Sequence, residues 1–236
     1  MNMPLNTSAD TTDPIAQARY NMVEQQIRPW NVSDARVLEL LAQMPREQFV
    51  PPSHQALAFT DMEIPLHRDA DLAQQLGQIM LAPRVEARML QDLQIRPTDR
   101  ILEIGAGSGF MAALLARSGA QVVTLEIDAD LAEFARENLR SAGIDNVQVR
   151  QADGALDPIP DGPFDVIMLS GSVNEVPQRL LDLLADGGRL GAITGQLPMM
   201  YATFVRRSGN QFETTRPWDV VTARLRHFPE PSAFKF

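Results

Sequence analysis

Cysteine is absent from the 236 residues. Disulfides, thiolate nucleophiles and cysteine metal sites are therefore excluded. Histidine is scarce, and His54, His67 and His227 stand far apart without metal-ligand spacing, so no metal is expected. Positive charge is outnumbered, with 21 Lys and Arg against 30 Asp and Glu and a net charge of −9. A duplex-binding surface sets cations against phosphates, so no nucleic-acid partner is expected. The arginines that gather late in the chain, Arg206, Arg207, Arg216, Arg224 and Arg226, are spaced like the exposed side of strands. No apolar run approaches the ~20 residues that span a bilayer. The N-terminus also lacks the charged-then-apolar order of an export signal. No membrane partner is expected, and the expected compartment is the cytoplasm. What is present is ordinary for a globular chain: 44% hydrophobic and 22% charged residues, enough for a sizeable core.

Residues 1–13 are polar, with little to bury, and read as a mobile leader. Residues 14–97 read as a helical and substrate-loop segment. Helical spacing runs from Pro14 to about Ile27, with Ile15, Ala18, Met22 and Val23 on one face. Ser33 is placed to cap a second helix carrying Val37, Leu40, Leu41 and Met44. Phe49–Pro52 reads as extended, Asp61–Leu66 as a short strand and His67–Ala73 as polar, mobile chain. Pro83 suits the first turn of a third helix. From 98 to 236 strands alternate with helices. Strands are expected at Arg100–Gly105, Gln121–Ile127, Val147–Gln151, Phe164–Ser170 and Arg189–Thr194. Helices are expected to Arg117, over 129–142 and over 177–185, the last ended by Gly187-Gly188. A hairpin over 201–207 and 211–216 turns at Ser208-Gly209-Asn210, and Val220–Leu225 is a last extended piece. The alternation implies a mostly parallel sheet with an antiparallel addition at one edge.

The strongest motif is Ile101–Phe110, a buried strand that turns sharply into a helix through Gly105, Gly107 and Gly109. Glycines permit the turn and let a ligand approach the backbone. In an open parallel sheet this loop lies beyond the strand carboxyl ends, where ligands bind. The dinucleotide fingerprint is G-x-G-x-x-G; here the pattern is G-x-G-x-G, with Phe110 in the third position. That spacing is typical of methyltransferases. Glu126 ends the second strand, where a carboxylate can accept from both ribose hydroxyls of either cofactor, and Ile127 would face the adenine. Asp153-Gly154 follows the third strand; the carboxylate can take the adenine amino group and the glycine leaves room for the ring. In series the three pieces read as an S-adenosylmethionine site rather than a dinucleotide site. Ser170, Ser172 and Asn174 follow the fourth strand, near where a reactive methyl group would sit, and are candidate substrate-facing groups.

The chain resembles the protein-L-isoaspartate O-methyltransferases. Pro45–Pro51 is similar to the family's "VPRExFVP", Ile101–Phe110 to "VLEIGTGSGY", and Gly187–Leu190 to "GGRL". The resemblance implies a Rossmann-like class I methyltransferase: a mostly parallel seven-stranded sheet with helices on both faces, plus an N-terminal helical segment. It implies S-adenosylmethionine as cofactor, held by Glu103, Gly105, Gly107, Ser108, Gly109, Glu126, Ile127, Asp153 and Gly154. It also implies carboxyl methylation of isoaspartyl sites in proteins or peptides. Within the family's "GQTISQPxxVAxM", Gln78 is retained while Ile79 and Leu81 replace the hydroxyl residues beside the substrate carboxylate. Gln78, Ile79 and Leu81 are thus further candidates for the substrate side, and a small-molecule acceptor or a non-catalytic cofactor-binding module stand as alternatives.

Overall fold

Asp13 opens the ordered chain. Its side chain accepts from the Ile15 amide at 2.9 Å and caps helix α1 (Pro14–Asn21). The structure, a computed structural model, describes residues 13–230, so the rest of the expected leader lies outside the described residues. The helix continues through a π-helical turn, Met22–Ile27, and a 3₁₀ turn, Arg28–Trp30, ending at Asn31 in the left-handed conformation. Met22, Val23 and Ile27 are completely buried. Helix α2 (Ala35–Gln43) is capped by Asp34 rather than Ser33; the Asp34 carboxylate accepts from the Arg36 amide at 2.9 Å.

The stretch read as extended, 49–52, is flanked and partly replaced by 3₁₀ turns at Arg46–Phe49 and Pro52–Leu57. The reason is Arg46, which is fully buried. Its guanidinium donates to the Ala58 carbonyl at 3.0 Å and the Leu81 carbonyl at 2.7 Å, and it pairs with Glu86. Chain coiled around the guanidinium supplies those acceptors. Strands β1 (Ile64–Pro65) and β2 (Ile79–Met80) pair antiparallel. Between them lies helix α3 (Ala70–Leu76), capped by Asp69 and ended by Gly77 at φ 68°. The segment read as polar, mobile chain is therefore the cap and first turns of a helix. Helix α4 (Pro83–Leu93) follows, with proline at its start.

The α/β part runs β3 (Arg100–Ile104), α5 (Phe110–Ser118), β4 (Gln121–Glu126), α6 (Ala129–Ser141), β5 (Val147–Gln151), β6 (Phe164–Val173), α7 (Gln178–Leu181), β7 (Leu184–Gln196), β8 (Met199–Ser208) and β9 (Gln211–Asp219). The sheet order is β5-β4-β3-β6-β7-β8-β9. β3 to β7 pair in parallel and β8 is antiparallel to both its neighbours. The helix expected over 177–185 stops at Leu181. Leu184 already pairs with Phe164, and Gly187-Gly188 lie in an excursion of β7 before Arg189 pairs with Val166.

Alternate strand residues feed two cores. Ile101, Val122, Val166, Met168 and Ile193 face α2, α4, α5, α6 and the N-terminal helical run. Leu102, Val123, Leu125, Ile167, Leu169 and Leu190 face α7 and the irregular chain that carries Ile159, Val176 and Phe228. Both faces carry helix, but among the described residues the second carries only the four of α7. Residues 14–97 share the first core with the sheet, so the boundary at 97 separates no core from another. No helix among the described residues is long and apolar enough to cross a membrane.

Candidate functional site

The carboxyl ends of β3, β4, β5 and β6 open into one cleft, as an open parallel sheet dictates. β3 and its turn supply Ile104, Gly105 and Gly107. β4 supplies Leu125, Glu126 and Ile127; β5 supplies Ala152, Asp153 and Gly154; β6 supplies Ser170. Leu66 and the run Leu76–Ile79 close one side, and Arg224, Leu225, Arg226 and Phe228 line another.

Gly105 and Gly107 sit at φ 95° and 52°, a conformation that side chains disfavour. A Cβ on Gly105 would lie 2.9 Å from Leu225 Cδ2, and one on Gly107 3.0 Å from Leu66 Cδ1. Gly109, at φ 83°, does a different job. It is outside the cleft, and a Cβ there would meet the Ala135 carbonyl at 3.2 Å. Its bareness lets α5 and α6 approach. Ser108 is also outside; its side chain is buried and its carbonyl accepts from Asn138. Gly154 lines the cleft, yet a Cβ added there would strike Ile104 Cγ2. The glycine is needed for packing on β3, not only for ligand room.

Glu126 is nearly buried and accepts from the Gly107 amide at 2.8 Å and the Asp128 amide at 3.0 Å. Burial pushes its pKa up, and those amides oppose the rise without cancelling it. Asp153 differs. Burial raises its pKa, but the His227 ring at 2.5 Å, together with the Ala155 and Leu156 amides, outweighs burial and leaves it below the ordinary value. Two carboxylates of unlike proton affinity thus stand at adjacent strand ends. They offer acceptors for a diol and an amino group across a glycine floor.

Glu103 is not in the cleft. It is fully buried beneath it, accepting from Thr124 Oγ1 at 2.6 Å and Ser170 Oγ at 2.7 Å. Burial pushes its pKa up to about 8 against those two hydroxyls, with Glu126 and Glu86 adding to the rise. The resemblance sets Glu103 to position the cofactor directly or through water; in the structure it lies beneath the cleft lining and touches it through the Ser170 hydroxyl. Gln78 and Ile79 line the cleft, and Gln78 donates to Asp128 at 3.0 Å. Leu81 does not; its side chain joins the first core. Ser172 is fully buried, its hydroxyl donating to the carbonyls of Thr222 and Ala223. Asn174 lies beyond β6, its carboxamide oxygen accepting from Gln196 at 3.1 Å.

The strap 222–228 carried no signal in the sequence beyond an extended stretch. It runs beside β6: Ser172 donates its amide to the Ala223 carbonyl at 2.8 Å, and Leu225 donates to Ser172 at 2.9 Å. Its place over the loop depends on a pairing partner fifty residues earlier, which local pattern does not reveal.

Residues 17–221 match the family model described as protein-L-isoaspartate(D-aspartate) O-methyltransferase (PCMT). A protein-L-isoaspartate O-methyltransferase of Methanoculleus marisnigri is 41% identical over 183 residues, covering 78% of this chain and 80% of its own. That of Herpetosiphon aurantiacus is 36% identical over 228 residues, covering 94% of this chain and 98% of its own. Among solved structures, a Plasmodium falciparum chain assigned to PCMT and in complex with S-adenosyl-L-homocysteine has a TM-score of 0.74 at 22% identity, over 87% of this chain and 97% of that one. At that identity the likeness is one of fold. With the match to the family model spanning nearly the whole described chain, and relatives above one third identity along most of their length, this chain belongs to the protein-L-isoaspartate(D-aspartate) O-methyltransferase family.

Proposed function

We propose that this protein transfers the methyl group of S-adenosylmethionine to the free carboxylate of isoaspartyl residues in damaged polypeptides. The observation that carries the reading is the convergence of Gly105, Glu126, Asp153 and Ser170 on one cleft in a member of this family. The residues fit the cofactor: side chains on Gly105 or Gly107 would invade the cleft, and two carboxylates wait at the ends of β4 and β5. Glu126 would hold the ribose hydroxyls, Ile127 would lie against the adenine, and Asp153 would take its amino group. When bound, the cofactor supplies a methyl group activated on a sulfonium. The acceptor oxygen forms its bond to the methyl carbon as the carbon–sulfur bond breaks, and that electron pair stays on sulfur. A carboxylate needs no general base for this. The chain's work is alignment and exclusion of water, and Gln78, Ile79 and the strap wall the acceptor side.

The test pairs two measurements. Calorimetry should show binding of S-adenosylmethionine and S-adenosylhomocysteine but not of NAD. An isoaspartyl peptide should be methylated while its ordinary aspartyl counterpart is not. One observation favours a small-molecule acceptor instead: Ile79 is apolar where the family carries a hydroxyl. Binding of both sulfur nucleosides with no turnover of the isoaspartyl peptide, and turnover of a small carboxylic acid, would move the reading there.

A further inference from the structure

We propose that Ser170, oriented by the buried Glu103, is the donor that holds the methyl-accepting carboxylate in this protein; the inference rests on the reading above. An anion drawn from water into a cleft needs a hydrogen-bond donor, or its desolvation goes uncompensated. Of the two positions where the resemblance places hydroxyls, Ile79 lines the cleft and is apolar, and Leu81 faces the core. Among the described residues lining the cleft, Ser170 carries the only hydroxyl. The other side-chain donors of the lining each face a partner elsewhere through at least one nitrogen. Gln78 donates to Asp128 at 3.0 Å. Arg224 donates from Nη2 to the Gly195 carbonyl at 2.6 Å and pairs through Nε with Glu230 at 3.1 Å, while its buried Nη1 has no partner and is the rival donor that Arg224→Ala tests. Arg226 stands 3.9 Å from Asp128.

An irregularity of the backbone puts Ser170 where it is. Between Met168 and Ser172, β6 advances four residues while β7 advances two, from Gly191 to Ile193. The surplus frees this stretch from the β7 ladder, and the Ser170 hydroxyl reaches Glu103 at 2.7 Å.

A serine hydroxyl has one hydrogen and two lone pairs. If Glu103 is ionised, the hydrogens of Ser170 and Thr124 both point inward to it, and Ser170 shows only lone pairs to the cleft. If Glu103 holds a proton, it can donate to Ser170 Oγ, and the serine hydrogen turns outward to the acceptor carboxylate. The charged neighbours favour the second state. Glu126 on β4 and Glu86 on α4 both raise the proton affinity of Glu103, and Glu86 does so even though it is paired with Arg46. Burial and these acids hold the Glu103 pKa at about 8, so the inner proton is in place at neutral pH.

The experiment uses the full chain, saturating S-adenosylmethionine and an isoaspartyl peptide. Ser170→Ala should lower kcat/KM about tenfold to a hundredfold, the worth of one hydrogen bond to a charged group, with S-adenosylhomocysteine affinity unchanged. Ser170→Thr restores the hydroxyl and should restore turnover. The wild-type kcat/KM should fall on the alkaline side, and Glu103→Gln, which keeps a donor beside Ser170 at every pH, should remove that fall. The cofactor's positive charge lowers the midpoint, so the readout is the presence and removal of the limb rather than its position. Full peptide turnover by Ser170→Ala, or a collapse in Arg224→Ala instead, overturns the inference and leaves the functional reading intact. A wild type that binds cofactor and methylates no isoaspartyl peptide overturns both.

Discussion

Glu103 and Glu126 are buried carboxylates on neighbouring strands that answer to different tests. Glu103 keeps its proton in the folded state up to about pH 8, while the unfolded chain releases it near the ordinary 4.5. Between those values the folded state binds more protons, so stability falls as pH rises, at up to about 1.4 kcal/mol per pH unit. Its contribution is whole below the unfolded value and gone above the folded one. Melting temperatures of wild type and Glu103→Gln across that range should diverge, with the variant the flatter and the more stable at the alkaline end. Parallel curves would show that Glu103 ionises freely in the fold. Glu126 accepts from two backbone amides of its own loops, a role its place at a strand end does not reveal. Glu126→Ala should therefore weaken S-adenosylhomocysteine binding on the order of tenfold to a hundredfold and also lower the melting temperature, because both amides lose their partner. Unchanged affinity would confine Glu126 to the loop.

At the scale of elements, Arg46 ties two pieces of irregular chain, at Ala58 and Leu81, to Glu86 on helix α4. Arg46→Ala strands a buried carboxylate and should cost about 3–5 kcal/mol in denaturant melts, whereas joint replacement by Arg46→Met and Glu86→Leu should recover most of that loss. A double variant no better than the single would mean that the carbonyl contacts, not the ion pair, dominate. Elements with long apolar periodicity, β3 to β5 and α4 to α6, were legible because burial on one or both faces writes itself into spacing. The coil around Arg46 was not legible, since its cause is a single side chain whose partners lie 12, 35 and 40 residues away. Likewise α7 and the start of β7 were misread: Leu180, Leu181 and Leu184 fit a helical stripe, but Leu184 is buried as a strand residue against Phe164. For the candidate cleft, the meeting of Glu126 and Asp153 was legible from their places at strand ends. The packing duties of Gly109 and Gly154 were not, because a glycine loop looks the same whether ligand or neighbouring chain comes close.

Across the whole molecule, the cleft draws on chain from Leu66 to Phe228. A ligand seated there bridges the N-terminal segment, four strand ends and the strap. S-adenosylhomocysteine at a hundred times its dissociation constant should raise unfolding free energy by about 2.7 kcal/mol, with a matching rise in melting temperature. NAD at the same concentration should leave the transition where it is. Equal shifts from both would show that the cleft does not discriminate the two nucleosides. The strap also explains why composition alone understated the site. Its arginines looked like the outer side of a strand, yet Arg224 and Arg226 line the cleft.

The extra residues of β6 carry a consequence for insertions and deletions. Removing Ser170 and Gly171 would equalise the advance of β6 and β7 and let the ladder run on unbroken. The sheet would gain regularity and lose the one hydroxyl among the described residues that line the cleft. The turn at Ser208–Asn210, at the far edge, touches nothing in the cleft, so length changes there should pass without effect on methyl transfer. At 169–171 they should yield folded, inactive protein. What this strand end contributes is a count of residues as much as their identity, and substitution scanning alone would not detect it.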